Sequence, residues 1–435
     1  MKKLTFVGAV LLIACLAVPV PGALAAKYPK EVVFGIPLHV TGPLASVGQG
    51  IRIGLDLAIK EINEQGGIKN MGGAKLKILC PDTGGAADIA VSETERLITS
   101  KRVSAVLATY MHGEEVQMVA QNFSCPCLQF QTIMPPHMSE KDDYVFRRFN
   151  DEDEDWWDNY DWLEMMKKET GDPGPKTIAF LYCDDIWCTE AYQMAPPMFK
   201  KWGYETILEE PYTCGQATFK PQIAKIKAAA PDHLILMMHT QGHIIFNREL
   251  MEEEVYLPYG YVTQGGEDAL IYDTLPPRSY EYMFIHEDGD IWFKNRPWGE
   301  KLASIHKKKM GYDLATYVVN AYEVMWIMKD VLERAKYSSD LQKFRDNIRD
   351  SLGATYITHE NCPDMQTAPD GTKWCPQLAR GNEILGFEPS GHNLPRSGHG
   401  QISQTLGGQR VPLWPPKYRP KGYKPVWPIP PWSKR

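Results

Sequence analysis

The strongest constraint on the fold lies in residues 31–68, EVVFGIPLHVTGPLASVGQGIRIGLDLAIKEINEQGGI. Residues 32–38 form a short apolar run, β-branched enough and short enough for a buried strand. A turn at Thr41-Gly42-Pro43 and a small-residue approach through Ser46, Gly48 and Gly50 follow. Ile51, Leu55, Ala58 and Ile62 then recur at steps of three and four, the signature of an amphipathic helix. Gly66-Gly67 supplies the positive-φ residues that end helices. Strand, loop, helix and stop make half of a parallel α/β unit. Such units bind ligands where loops leave the carboxyl ends of strands, so TGPLASVG is a candidate ligand loop.

The alternation continues. Strands are expected at 75–80, 103–109 and 125–130, with helices at 86–99 and 114–122. The unbroken apolar run VSAVLAT suits a parallel sheet covered on both faces. After the acidic run 151–155 and a helix through Trp156-Trp157, a Gly/Pro break at 171–175 opens a second series. Its strands are expected at 177–182, 205–208, 233–238 and 259–262, and its helices at 189–201, 218–229 and 242–253. Two α/β lobes in tandem follow, with no demonstrable sequence repeat between them. A strand at 282–285 and helices at 298–309, 314–335 and 340–351 complete the regular part. Beyond Gly353 the Gly/Pro/Trp/Tyr-rich chain is expected to run extended over the surface.

At 435 residues the chain calls for two or three domains. A net charge of −7 leaves no basic footprint for nucleic acid. Lys2-Lys3, an apolar segment at 4–20 and Ala23-Leu24-Ala25 read as a signal peptide over 1–26. The segment Leu12-Ile13-Ala14-Cys15 leaves lipidation at Cys15 open as the alternative. Export turns the eight cysteines beyond Cys15 toward disulfides. Cys362 with Cys375 is the easiest pair, and Cys80 is expected to bridge to Cys125 or Cys127.

In combination, these stretches resemble the leucine/isoleucine/valine-binding protein family of type I periplasmic binding proteins, the solute receptors of ABC importers. The resemblance rests on TGPLASVGQGIRIGLDLAIKEINEQGGI, PDTGG, VFRRFND, AFLYCDDIW, AAAPDHLILMMHTQG and LGFEPSGHNLPRSGHGQISQTLGGQRVPLWP. It covers about residues 30–415. It implies two Rossmann-like lobes joined by three crossovers, closing on ligand like a Venus flytrap. Lobe 1 would hold 27–150 and 280–352, lobe 2 would hold 151–279 and 353–415, and 416–435 would be an extension.

The resemblance also implies a site. Thr109, Tyr110 and His112 fall in the loop after the third strand, and Gln131 and Thr132 after the fourth. These loops do not reproduce the hydroxyl-rich pattern of amino-acid binders, and Tyr110 and His112 could simply cover the sheet edge. Val47 stands where relatives often carry an aromatic ring; it either leaves room for a bulkier ligand or begins the helix's apolar face. Trp187 matches a cleft-facing Tyr and could equally be packed core. His239 matches another ligand-contacting Tyr. Gln264 replaces an acidic residue that meets the ligand's ammonium, which points to a ligand without a free amine.

The expected function is therefore capture of a small organic solute, an aromatic or aliphatic acid, for an ABC permease. The chain would act as a monomer that meets the membrane only through the permease, or through a lipid on Cys15. It would use no cofactor, metal or catalytic residue, since no G-x-S-x-G, HExxH or P-loop pattern occurs. The competing readings are a secreted metal- or thiol-dependent redox protein using His239/His243 or Cys125-Pro126-Cys127, and a ligand-sensing subunit. Asp151–Asp155 could hold a cation, but is expected to be a solvated face.

Overall fold

The computed structural model describes residues 28–42, 44–109, 112–131, 143–148, 152–287, 293–294, 296–379, 383–387, 391 and 400–435. The signal segment, Tyr110 and Thr132 lie outside them.

The first sheet is parallel throughout. Its strands are β1 (Glu31–Gly35), β2 (Lys75–Leu79), β3 (Ala105–Ala108), β4 (Cys127–Gln129) and β5 (Val145–Arg147), in the order β2-β1-β3-β4-β5. Every residue of β3 is buried, as a central strand covered on both faces requires. Helices α1 (Ala45–Glu64), α2 (Ala87–Thr99) and α3 (Gly113–Asn122) connect these strands. Ile51, Leu55, Ala58 and Ile62 all face the core, as their spacing predicts.

After α4 (Glu152–Thr170) the second sheet begins. It is built from β6 (Thr177–Cys183), β7 (Glu205–Tyr212), β8 (His233–Met237), β9 (Tyr261–Gln264) and β10 (Phe284–Glu287), in the order β7-β6-β8-β9-β10. That repeats the strand order of the first sheet, so the two lobes share a topology that residue identities conceal. Helices α5 (Ile186–Lys201), α6 (Lys220–Ala229), α7 (Thr240–Glu252) and α8 (Ala269–Thr274) belong to this half.

The chain then returns to the first core with α9 (Glu300–Met310), α10 (Thr316–Arg334) and α11 (Leu341–Gly353). Helix α10 is buried along almost its whole length and lies against α1. Gly54 permits that approach, because an added Cβ would fall inside the van der Waals surface of the Val318 carbonyl oxygen. Gly48 does the same where α1 passes the His39 carbonyl.

Strands β11 (Tyr356–Thr358), β12 (Gln366–Thr367), β13 (Lys373–Trp374) and β14 (Ile384–Gly386) follow as two small ribbons. Finally β15 (Gln401–Leu406) joins the second sheet antiparallel to β10, and β16 (Gln409–Trp414) pairs antiparallel to β15 at its edge.

Three expectations are corrected. The boundary at 280 falls too early, because β10 pairs with β9 in the second sheet. Residues 353–387 do not join lobe 2: Ile357, Trp374, Leu378 and Leu385 bury into the first core. The segment 416–435 is no loose extension, since Trp427, Ile429 and Trp432 bury in the second core and Trp432 Nε1 donates to the Val255 carbonyl at 2.7 Å. An apolar tail of this composition gains more from burial than from solvation, whatever its lack of periodicity.

The cysteines divide in the same way. Cys362 and Cys375 are bonded, with Cα atoms 5.8 Å apart. Cys183 pairs with Cys214 across the ends of neighbouring strands β6 and β7, at a Cα separation of 5.4 Å. Cys80, Cys125 and Cys127 remain thiols, contrary to expectation. Cys80 follows β2, and strands β1 and β3 stand between β2 and β4. Three strand spacings, roughly 14 Å, exceed what a disulfide spans.

Candidate functional site

The carboxyl edges of the two parallel sheets carry the residues of interest. On the first sheet, the loop after β1 is held by one carboxylate. Asp82 accepts from the N–H groups of Val40 at 3.0 Å, Thr41 at 3.2 Å and Gly84 at 3.0 Å, and from the Thr41 hydroxyl at 2.6 Å. The Thr41 hydroxyl, then these N–H groups, hold its pKa below the usual value. In the PDTGG stretch, Asp82 followed by Gly two residues on is an Asx-turn pattern, and that local signal marks the anchor of this loop.

Thr109 follows β3 directly, with its hydroxyl buried and without a partner among the described residues. His112 has a left-handed backbone, φ 63°, immediately before α3, and its Nδ1 lies 3.5 Å from Glu115 Oε1. That contact raises its pKa despite partial burial. His39, buried beneath the same edge, is pushed the other way, down to about 4, by burial and then by His112. Gln131 accepts from the Asn320 amide of α10 and is buried. Val47 lies in the first turn of α1 at 2% exposure, packed in the first core.

On the second sheet, Asp185 caps α5 by accepting from the Cys188 N–H at 2.8 Å. Its other oxygen pairs with His239 Nε2. Burial works against charge on Asp185, but His239 and the Cys188 N–H outweigh it and its pKa lies below the usual carboxylate range. The half-buried Trp187 packs its ring 5.2 Å from that of His239. Four residues on, His243 turns into the core, where its Nε2 meets the Thr263 hydroxyl at 2.8 Å. The two histidines therefore form no His-x3-His pair.

Gln264 ends β9, and its Nε2 donates to Asp155 Oδ2 at 3.4 Å. Asp155, the last residue of the acidic run, is wholly buried, which corrects the expectation of a solvated face at that residue; the side chains of 151–154 lie outside those described. His286 Nε2 stands 3.8 Å from Asp155 and 3.5 Å from Asp158, and Asp158 also accepts from the Gly400 N–H at 2.7 Å. Asp155 and Asp158 are three apart on one face of α4, a spacing visible in the sequence, but nothing there indicates that this face turns inward. Arg148, in the VFRRFND passage, pairs with Glu323 of α10 in the buried interior.

Thiol chemistry at Cys125-Pro126-Cys127 finds no support, because burial pushes the Cys125 thiol up to about 12 and Cys127 higher still. A reactive cysteine needs the opposite environment.

A family model described as periplasmic binding protein matches residues 31–360. The chain belongs to the periplasmic binding protein family. Leu/Ile/Val-binding protein homolog 7 of Brucella abortus (strain 2308) is 24% identical over 316 residues, 68% of this chain and 76% of its own. Among solved structures, the leucine-binding protein LivK of Thermotoga maritima superposes with a TM-score of 0.68 at 14% identity, over 88% of this chain and 97% of that one. A solute-binding protein of an ABC transporter from R. palustris, in complex with benzoate, gives 0.68 at 14% identity, over 88% and 95%. The two-lobed fold with three chain crossings is that of these binding proteins. Members of this family bind solutes, and among the described residues of this one no helix is long and apolar enough to cross a membrane.

Proposed function

We propose that the chain is an exported receptor that captures a small organic carboxylate between its lobes and delivers it to an ABC permease, without catalysis. The observation that carries this reading is the Thr109 hydroxyl, buried and without a partner among the described residues beside the N-terminus of α3. An unmatched buried hydroxyl three residues ahead of His112, the residue that precedes α3, suits an anion. Gln264 supports the absence of a free amine, since the carboxylate beside it, Asp155, is already engaged with Gln264 and His286. Trp187 offers a flat apolar face for the ligand's body, with His239 beside it. Gln131, Val47, Tyr110 and Thr132 belong to the proposed surroundings of the ligand. The benzoate held by the R. palustris protein is a solute of this class.

A thermal-shift series tests the reading, because a solute that binds only the native state raises its midpoint. Aromatic and aliphatic carboxylates should give the largest shifts. Thr109→Val should weaken the best of them about tenfold, the cost of one lost hydrogen bond to a charged group. Leucine, isoleucine or valine giving the largest shift, with none from aromatic acids, would refute it.

A further inference from the structure

Four side chains at the carboxyl edge of the second sheet converge, and one of them, His239, also stands beside the Trp187 face offered to the solute. Cys183 ends β6, Asp185 caps α5, Cys214 sits in the turn after β7, and His239 caps α7. One ligand atom from each lies within 4.8 Å of every other. Cys214 Sγ stands 3.7 Å from Asp185 Oδ2, which also meets His239 Nε2. In a tetrahedral zinc site, metal–ligand bonds of 2.0–2.3 Å place donor atoms roughly 3.3–3.8 Å apart. The cluster needs only small movements to reach that geometry.

We propose that these four residues form a redox-gated site for a zinc-class divalent cation: closed while Cys183 and Cys214 are bonded, open once they are reduced. Two thiolates, an imidazole and a carboxylate are the donor set that zinc selects. The donors sit on anchored backbone. Asp185 is fixed by its cap to the Cys188 N–H at 2.8 Å, and the Cys214 turn by its own N–H donating to Asp184 Oδ1 at 2.9 Å. The Trp187 ring packs against the His239 imidazole and limits its rotation. Cys214 is exposed, so a small reductant can reach the bond.

The chemistry balances with a dithiol as reductant. One of its thiolates attacks the exposed Cys214 sulfur, and its second thiol resolves the mixed disulfide. The dithiol becomes a disulfide as Cys183 and Cys214 gain two electrons and two protons. Binding of Zn2+ then releases those two protons as the thiols become thiolates. The inference is independent of the solute reading, since the cation is measured with no organic ligand present.

The test is zinc stoichiometry on the whole protein, before and after reduction with a dithiol that is then removed under exclusion of air. The expected result is no bound zinc in the oxidised protein and about one per chain in the reduced protein. Co2+ used as a probe should give thiolate-to-cobalt charge-transfer absorption in the reduced form alone. His239→Ala leaves the disulfide untouched. In its reduced form it should weaken zinc by more than the ~10–100-fold that outer partners of a metal site are worth. Cys214→Ser should abolish the cobalt band. Reduced protein that keeps its circular dichroism but takes up no zinc would overturn the proposal. Uptake unchanged in both variants would do so too, as it would belong to the other cysteines. Loss of the fold on reduction also overturns it, because the open site requires a folded reduced chain.

Discussion

Three buried histidines make the protein acid-sensitive well above the range where carboxylates titrate. Burial holds His39, His233 and His243 at about 4, against an ordinary value of 6.5. Their folded-state pKa values are depressed, so between those two values the unfolded chain binds more protons, and stability falls as pH falls through this window. At pH 5 each costs about 2 kcal/mol relative to pH 7, and the three together about 6 kcal/mol, comparable with the whole stability of an ordinary domain. His112 works in the opposite sense, because Glu115 raises its pKa. Its contribution is complete below the unfolded value and is lost as pH rises through the folded one, so it offsets part of the sum. The depressed carboxylates Asp82, Asp185 and Asp232 lose their contribution only at lower pH, near and below 4, which leaves pH 5 to the histidines. Urea unfolding followed by the fluorescence of the 12 tryptophans should show the loss between pH 7 and pH 5. His233 Nδ1 lies 3.0 Å from the Tyr259 carbonyl, a bond a glutamine amide can replace. His233→Gln should therefore flatten the pH dependence by about 2 kcal/mol. A wild-type stability flat between pH 7 and pH 5, or an unchanged slope in His233→Gln, would refute the assignment of neutral buried imidazoles.

Two further outcomes follow from packing. Gly54→Ala should destabilise by about 1–3 kcal/mol through its collision with the Val318 carbonyl, whereas helix propensity alone would stabilise by about 1 kcal/mol, so the sign of a single denaturation measurement decides between them. Truncation after residue 420 removes the buried Trp427, Ile429 and Trp432, and at about 1.5–3 kcal/mol for each apolar side chain it should lower the melting of the second lobe sharply; an unchanged melting curve would mean the tail is dispensable.

Much of the two-lobed α/β architecture was legible because its signals are local. Apolar runs of strand length, apolar residues at steps of three and four, and glycines after helices each report on a few neighbouring residues. Helix α1 and strands β3 and β8 fall close to where their patterns place them. The short strand β5 and the late ribbons were less legible, because two or three residues carry no period to detect.

Local patterns in the chain fix the alternation of strands and helices, and with it the expectation that ligand loops gather at the carboxyl edges of parallel sheets. The sequence also singled out many of the residues that stand at those edges, Thr109, Trp187, His239 and Gln264 among them. The fold set which residues meet. It put β1 and β3 between Cys80 and its supposed bridging partners, moved β10 into the second sheet, turned Asp155 inward toward His286, and brought Cys183, Cys214, Asp185 and His239 together. The physical reason is range. Periodicity is set by neighbours a few residues apart, whereas pairings such as Asp155 with His286 join residues whose distance in the chain says nothing about their distance in the fold.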